Sequence, residues 1–365
     1  MSFIVPFRGI TFVSTIKKEN IMITILSDVS DYMFSSALEE FAFSTNAETA
    51  TFSLQLGDTV LHRETYVPDA EGIIRIYDLP ELVEAHLTAN LIENFTYTIT
   101  DGTDTRTRTF TVQFCAAAVS IPATEWREKY FLTTLQGTKT TAPGRQEFLH
   151  LIVTAATDVT VTAIFLSPTG MTEEVICEMD PVTETGRVAT IDVSPDTFTH
   201  TQGWDLVAYT VEAGGRTQQF LVSEGLDSAP NLVFTNSFGC QETIYCTGTH
   251  ALKPKFERSA SVIGGKYRNY LIEETRTFDA RTGPLSFEMA RWAEDLFRSK
   301  EVYLLEQNTQ GREVTVTEAK AERDNEPDTI PDFPFTYRYA QRNHNVIDLP
   351  RAGRIFDHTF DNTFN

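Results

Sequence analysis

The stretch FTYTITDGTDTRTRTFTVQF, residues 95–114, predicts the fold class of this chain. Apolar and polar residues alternate on both sides of DGTDT, and a period of two is typical of a strand with one buried face. The Asp-Gly pair supplies a turn between the two halves, so the stretch is expected to form a β-hairpin. The residues expected to share the buried face are Phe95, Tyr97, Ile99, Phe110, Val112 and Phe114. The same period recurs along much of the sequence, which predicts a mainly β protein with several β-sandwich domains in series.

The hairpin belongs to a predicted β-rich domain over residues 23–117. Within it, TFSLQL (51–56) has the same alternation. A strand over Ile73–Tyr77 is followed by a short predicted helix, because Pro80 suits a first helical turn. Residues 1–22 show no clear pattern and are expected to form an N-terminal arm.

A second predicted domain covers residues 118–228. Six short apolar segments recur about every ten residues, with Pro168, Gly170, Gly186, Gly214 and Gly215 as turn residues between them. This spacing is typical of an antiparallel β-sandwich, and we expect an immunoglobulin-like one with Trp204 as its core tryptophan.

A third predicted domain, residues 229–349, is α+β and contains one prominent helix. Ser286 is the expected N-cap, since it follows Gly283-Pro284 and precedes an apolar face at helical spacing. The residues expected on or beside that face are Phe287, Met289, Ala290, Trp292, Ala293, Leu296 and Phe297. Strands are expected at Val302–Leu305 and in the segments REVTVTEAK and FPFTYRYAQ.

Composition and charge exclude several classes of function. A formal net charge of −21 argues against a large nucleic-acid footprint and against anionic membrane surfaces. No apolar run is long enough to span a bilayer, and the first twenty residues lack the pattern of a signal peptide, so synthesis in the cytoplasm is expected. The four cysteines have neither disulfide-framework nor zinc-site spacing and are expected to be buried free thiols.

Motifs for catalysis are missing from the sequence. There is no HExxH, GxSxG or dinucleotide fingerprint, and Gly264-Gly265-Lys266 lacks the remaining residues of a phosphate-binding loop, so it predicts a β-turn. We therefore expect a non-enzymatic protein with no catalytic, cofactor-binding or metal-binding residues. A metal site assembled in space, or a hydrolase using one of many carboxylate pairs, stays open at this point.

A basic island contrasts with the acidic remainder of the chain. Residues 251–281 contain seven Lys or Arg and four Asp or Glu. Lys253, Lys255 and Arg258 are candidate interface residues that would meet an acidic surface of a neighbouring copy or partner. The alternative is a solvated strand face.

The last predicted region, residues 350–365, has an aromatic repeat in RIFDHTFDNTFN. Phe356, Phe360 and Phe364 recur every four residues, whereas Asp, Thr and Asn disfavour a helix, so an extended arm is expected. These three phenylalanines are further candidate interface residues. They would pack either along the chain's own third domain or on an adjacent subunit.

Several segments resemble structural proteins encoded in the tail-gene regions of phages and prophages of Bacteroidetes. The resemblance is carried by DYMFSS (31–36), YVPDAEGIIRIYDLPELVEAHL (66–87), VFTNSFGCQETIYCTGTH (233–250), FDARTGPLSFEMARWAEDLFRSKEVYLL (278–305), FPFTYRYAQRNH (333–344) and FDHTFDNTFN (356–365). It implies a non-enzymatic building block of a virion tail or baseplate, similar to a distal-tail or hub protein that forms rings. Its implied partners are further copies of itself and other tail or baseplate proteins.

An alternative from another class of function is a glycan- or receptor-binding module of the adhesin type. Host surface glycans would then bind the middle domain through aromatic residues expected to be exposed, namely Trp126, Tyr130 and Tyr209.

Overall fold

The computed structural model of the chain describes residues 23–340, apart from residues 88, 200–201, 225–229, 307 and 324–328. The predicted arms, residues 1–22 and 350–365, lie outside the described residues. The described part contains 22 strands and three α-helices, which confirms the mainly β class. The chain divides into two compact units, residues 1–114 and 115–365, and the predicted boundary after residue 228 falls inside the second unit.

The first unit is built from eight strands and one short helix. Its elements are β1 (Thr24–Ser27), β2 (Tyr32–Phe34), β3 (Phe41–Ser44), β4 (Ala50–Leu56), β5 (Thr59–Tyr66), β6 (Ile73–Ile76), α1 (Leu79–Glu84), β7 (Ile92–Thr100) and β8 (Thr105–Gln113). The predicted hairpin is confirmed as β7 and β8, with Phe95 opposite Phe110. Pro80 lies in the first turn of α1, as predicted.

Two sheets of the first unit share one apolar core. One sheet has the order β1-β3-β6 and the other β2-β8-β7-β4-β5. Phe41 of the first sheet packs against Tyr97 of the second, with ring centroids 4.8 Å apart, and both side chains are buried. Alternation along β4 and β7 explains this core, since three alternate side chains of each strand are buried, Ala50, Phe52 and Leu54 in β4 and Phe95, Tyr97 and Ile99 in β7.

The second unit begins with one helix and seven strands. These are α2 (Ala123–Lys129), β9 (Thr138–Thr141), β10 (Phe148–Ile152), β11 (Thr157–Leu166), β12 (Thr172–Val182), β13 (Val188–Asp192), β14 (Asp205–Ala213) and β15 (Arg216–Val222). They form a five-stranded sheet, β12-β11-β14-β15-β9, and a β10-β13 pair around a shared core. All pairings are antiparallel except that of β15 with β9.

A buried tyrosine ties the two sheets of this region together. The Tyr209 hydroxyl donates a hydrogen bond to the Val193 carbonyl oxygen at 2.8 Å, and its ring stacks on Phe220. A tyrosine that bonds back to the preceding sheet-to-sheet corner is a feature of immunoglobulin-like sandwiches. The immunoglobulin-like assignment stays a prediction, which this corner and the strand order support. Trp204 is only partly buried at the margin of the core.

The remainder of the second unit is a seven-stranded sheet covered by one long helix. Its elements are β16 (Asn231–Thr235), β17 (Gln241–Tyr245), β18 (His250–Ile263), β19 (Lys266–Arg281), α3 (Phe287–Arg298), β20 (Val302–Glu306), β21 (Thr309–Ala319) and β22 (Pro334–Tyr339). The strand order is β17-β16-β20-β21-β22-β19-β18. The Ser286 hydroxyl accepts a hydrogen bond from the Met289 amide, which confirms the predicted N-cap. Phe287 was wrongly assigned to the buried face; at the first helical position it is 48% exposed.

Buried polar contacts join this sheet and helix to the sheets formed by β9–β15 within the second unit. Lys139 of β9 donates to the Glu147 carboxylate at 2.6 Å and to the Thr243 carbonyl oxygen at 3.0 Å. Its ammonium also lies 4.6 Å from the centroid of the Trp292 ring on α3. These contacts explain why the two predicted domains form one compact unit.

His150 is a second polar link, and it predicts a pH dependence. The ring contacts the Gln241 carbonyl oxygen at 2.7 Å and the Thr190 hydroxyl at 2.9 Å. Burial lowers the pKa of His150 below its usual 6.5. The unfolded chain therefore binds a proton at a higher pH than the folded chain does, so this histidine's contribution to stability is present above pH 6.5 and decreases below it.

We expect the free energy of unfolding to fall by up to about 1.4 kcal/mol per pH unit below that value through His150 alone. Urea unfolding between about pH 7.5 and about pH 5.5 measures the slope. The His150→Asn variant should be less pH-dependent than the wild type. Equal slopes for the two proteins would contradict the prediction.

Candidate assembly surface

The β18–β19 hairpin, residues 250–281, consists of the two longest strands of the described chain and is largely exposed, and we call it the hairpin arm. β22 pairs with β19 only from Thr277 to Arg281, so the outer part of the arm, residues 254–276, extends beyond the rest of the sheet. Gly264 and Gly265 form its turn with φ values of 60° and 74°. Two positive φ values suit a two-residue turn that matches strand twist, which explains the predicted turn at this glycine pair.

One face of the arm is mostly apolar, and its polar residues are Arg258, Asn269, Glu274 and Arg276. Residues paired across the two strands lie on the same face, and alternation along β18 extends that face from the base of the arm to its tip. The apolar side chains on it, which together we call the apolar face, are Leu252, Pro254, Phe256, Ala260, Val262, Tyr267 and Ile272. At the base the same face carries Phe278, which is buried in the core and stacks on Tyr337. The apolar face is therefore an extension of the core beyond the body of the unit.

The large side chains of the apolar face are open to solvent. Phe256 is 44% exposed, Val262 64% and Tyr267 79%. Contiguous exposed apolar surface of this kind marks interaction sites in folded proteins. The opposite face carries mostly Lys, Ser, Thr, Arg and Glu.

Both long edges of the arm are unpaired in the described part of the chain. β18 is the last strand of its sheet, and β19 before Thr277 pairs on one side only, with β18. Long open edges present backbone donors and acceptors that can pair with another strand, and monomeric proteins usually protect them.

The candidate basic residues lie on two faces of the arm. Lys253 pairs with Asp279 and Lys255 with Glu257, both on the polar face. The hydrogen bond from Lys255 lowers the pKa of Glu257. Arg258 lies on the apolar face with its guanidinium 5.3 Å from the Phe256 ring centroid.

Two of the five cations of the outer arm are paired, Lys255 with Glu257 and Arg276 with Glu274. The other three, Arg258, Lys266 and Arg268, have no carboxylate partner in the part of the chain that the structure describes. The unpaired positive charge of the basic island therefore lies towards the tip of the arm rather than at Lys253 and Lys255. Phe356, Phe360 and Phe364, the other candidate interface residues, lie outside the described residues.

The aromatic residues proposed for glycan binding do not form an exposed platform. Trp126 is buried, stacks on Phe238 and donates to the Phe131 carbonyl oxygen. Tyr209 is buried in the corner described above, and Tyr130 is half-buried against Trp126. The prediction of exposure was wrong for Trp126 and Tyr209 because both side chains fill the core of the second unit.

Among the described residues, no group of three or more His, Cys, Asp or Glu has a geometry suited to a metal ion. None of the described helices is long and apolar enough to cross a membrane. Cys115, Cys240 and Cys246 are buried free thiols, as predicted, whereas Cys177 is half-buried.

Comparison with known proteins does not identify a family for this chain. No family model matches the chain, and no curated protein matches it. The matching solved structures include two of the plexin A4 extracellular region, one with domains 1 to 8 and one with domains 1 to 10. Each is 8% identical over 87% of this chain, and the match covers 36% and 31% of the plexin chains, with TM-scores of 0.18 and 0.19. The chain thus spans about a third of the length of those structures, and TM-scores this low support no inference from them.

Proposed function

We propose that this chain is a structural subunit that assembles through its hairpin arm into a ring or hub. The observation that carries the proposal is the combination, in one element, of two open edges and an exposed apolar face. The sequence resemblance suggests the setting, namely the tail or baseplate of a phage virion. Synthesis would take place in the cytoplasm of the bacterial host.

The arm provides a direct way to join copies. When β18 of one copy lies beside β19 of the next, the two edges can pair as antiparallel strands. This contact is head to tail, because different surfaces of the two copies meet, and head-to-tail contacts form rings when the rotation closes. The alternation of apolar and polar side chains selects the register of this pairing. A slip of one residue would move every side chain of the strand to the opposite face of the sheet.

Charge favours contact between the arm and other copies. The arm has seven basic and four acidic residues, a formal charge of +3, which leaves −24 on the remainder of a chain with net charge −21. Like charge repels the bodies of neighbouring copies, whereas the arm is attracted to them. Such attraction acts mainly on the encounter rate and on orientation, and it weakens with added salt.

A shortened arm tests the proposal. Residues 256–274 are replaced by Asn-Gly, which joins the paired residues Lys255 and Thr275 by a two-residue turn. The deletion removes three basic and three acidic residues, so the net charge is unchanged. None of the deleted residues belongs to an apolar core, so the shortened protein should remain folded.

We expect light scattering after size exclusion to give an oligomer for the full chain and a monomer for the shortened chain, with similar thermal unfolding. Two point variants provide a matched comparison: Val262→Ser on the arm should weaken assembly, whereas Ile176→Ser on β12 should not. These side chains are 64% and 67% exposed, respectively. A full chain that stays monomeric, or a shortened chain that assembles normally, would overturn the proposal.

A further inference from the structure

We infer that the apolar face of the hairpin arm is the binding surface for the chain's own C-terminal segment, Ile355–Asn365. The inference deepens the proposed function and rests on the arm as an interaction surface, but it does not require ring formation. Edge pairing between copies uses the backbone of the arm, and the apolar face contributes to assembly when the segment that covers it comes from a neighbouring copy.

The first support is where the described chain ends. β22 runs antiparallel to β19, with Arg338 opposite Thr277 at the base of the arm's outer part. Residue 340 therefore lies beside the point from which the arm extends. The 14 residues from 341 to 354 separate it from the C-terminal segment.

The distance to the apolar face is within reach. Fourteen extended residues span up to about 46–50 Å. From Thr277 to the turn at Gly265 is 12 residues of strand, roughly 40 Å. The C-terminal segment can thus reach any part of the apolar face.

The apolar side chains of the segment have the same spacing as those of the apolar face. In an extended chain Phe356, Phe360 and Phe364 would share a face, with about 13 Å between successive phenylalanines. Leu252, Phe256 and Ala260 recur at the same interval on the apolar face. Fully burying one phenylalanine contributes roughly 1.5–3 kcal/mol before the entropy of ordering the segment.

Charge complementarity supports this segment as an occupant of the apolar face. Ile355–Asn365 contains Asp357 and Asp361 and no Lys or Arg. Arg258 on the apolar face has no carboxylate partner among the described residues, and neither do Lys266 and Arg268 near the tip of the opposite face. The segment therefore offers both an apolar row and the charge opposite to that of the outer arm.

Hydrogen–deuterium exchange on the full chain, read by mass spectrometry, tests the inference. In the wild type, amides of residues 355–365 should exchange at least about ten-fold more slowly than in a free peptide of the same sequence. The double variant Phe256→Ser/Val262→Ser, on the apolar face, should return them to the free rate. The matched variant Lys255→Ser/Glu257→Ser removes an ion pair from the polar face of the same strand and should keep the protection.

Free-peptide rates in the wild type, or protection that survives Phe256→Ser/Val262→Ser, would overturn the inference. Light scattering on the same samples separates it from the proposed function. A protected segment in a monomeric wild type would contradict ring assembly and support the inference, with the segment bound in its own chain. Protection of residues 355–365 that is lost when dilution dissociates the oligomer also supports the inference. In that case a neighbouring copy supplies the segment.

Discussion

Replacing Lys139 by methionine is expected to lower the free energy of unfolding of the second unit by about 3–5 kcal/mol. The Lys139 ammonium is the buried cation between the Glu147 carboxylate and the Thr243 carbonyl oxygen, and the Lys139 and Glu147 side chains are 8% and 1% exposed. Without it, Glu147 would be a buried carboxylate with no cation beside it. One of its oxygens, Oε1, has no hydrogen-bond partner among the described residues even with Lys139 present.

A second buried carboxylate increases the expected cost. Burial raises the pKa of Glu242, and the nearby Lys139 charge opposes that rise. The Glu242 carboxylate accepts a hydrogen bond from the Trp292 indole at 2.7 Å, so it is held close to the same ammonium. Loss of Lys139 therefore removes the favourable charge from two buried acids at once.

Urea unfolding of Lys139→Met, Glu147→Leu and the double variant measures the effect as a double-mutant cycle. The double variant should be more stable than Lys139→Met, because replacing a whole buried ion pair by apolar side chains is often nearly neutral, whereas removing one partner is not. A single variant that costs less than about 1 kcal/mol would contradict the prediction.

Replacing Asp295 by alanine is expected to cost about 3 kcal/mol or more, although the residue lies on a helix that faces solvent on one side. Its carboxylate is buried and accepts hydrogen bonds from the Ser237 amide at 3.2 Å, the Ser237 hydroxyl at 2.8 Å and the Thr134 hydroxyl at 2.9 Å. Alanine would leave these donors without their acceptor, and the Ser237 donors are buried.

The adjacent residue on α3 is the matched control. Glu294 is 17% exposed and pairs with Arg298 and Arg323, which are 64% and 32% exposed, so water screens its ion pairs more than it screens the hydrogen bonds of the 2% exposed Asp295. Glu294→Ala should therefore cost at most about 1 kcal/mol. Equal losses of stability for Asp295→Ala and Glu294→Ala in urea unfolding would show that the buried hydrogen bonds of Asp295 are not the cause.

Local patterns in the sequence predicted the elements that depend on neighbouring residues. The alternation in residues 95–114 predicted the β7–β8 hairpin, and Ser286 predicted the start of α3. The glycine pair 264–265 predicted the turn of the arm. Each of these depends on side-chain periodicity, capping or backbone freedom within a few residues, so it can be recognised without knowing what lies opposite in space.

The roles of individual polar and aromatic residues could not be predicted in this way. Asp295 and Glu294 are adjacent acids on one helix, yet only Asp295 faces Ser237 and Thr134, residues remote in sequence. Trp126 and Tyr209 were expected at the surface and are buried, because burial depends on which other elements pack against them.

The candidate assembly surface was only partly recognisable from sequence. The excess of basic residues over 251–281 was visible, but β18 and β19 alternate much like the buried strands. Sequence by itself determined that the region would be β, with a turn at its centre and a positive charge. Only the tertiary structure decided that β22 pairs with the base of β19 and not with its outer part, which leaves two edges open, and that the apolar face of the outer part is exposed. The physical reason is that alternation states which side chains share a face, whereas long-range strand pairing determines which edges are covered and long-range packing determines which faces are covered.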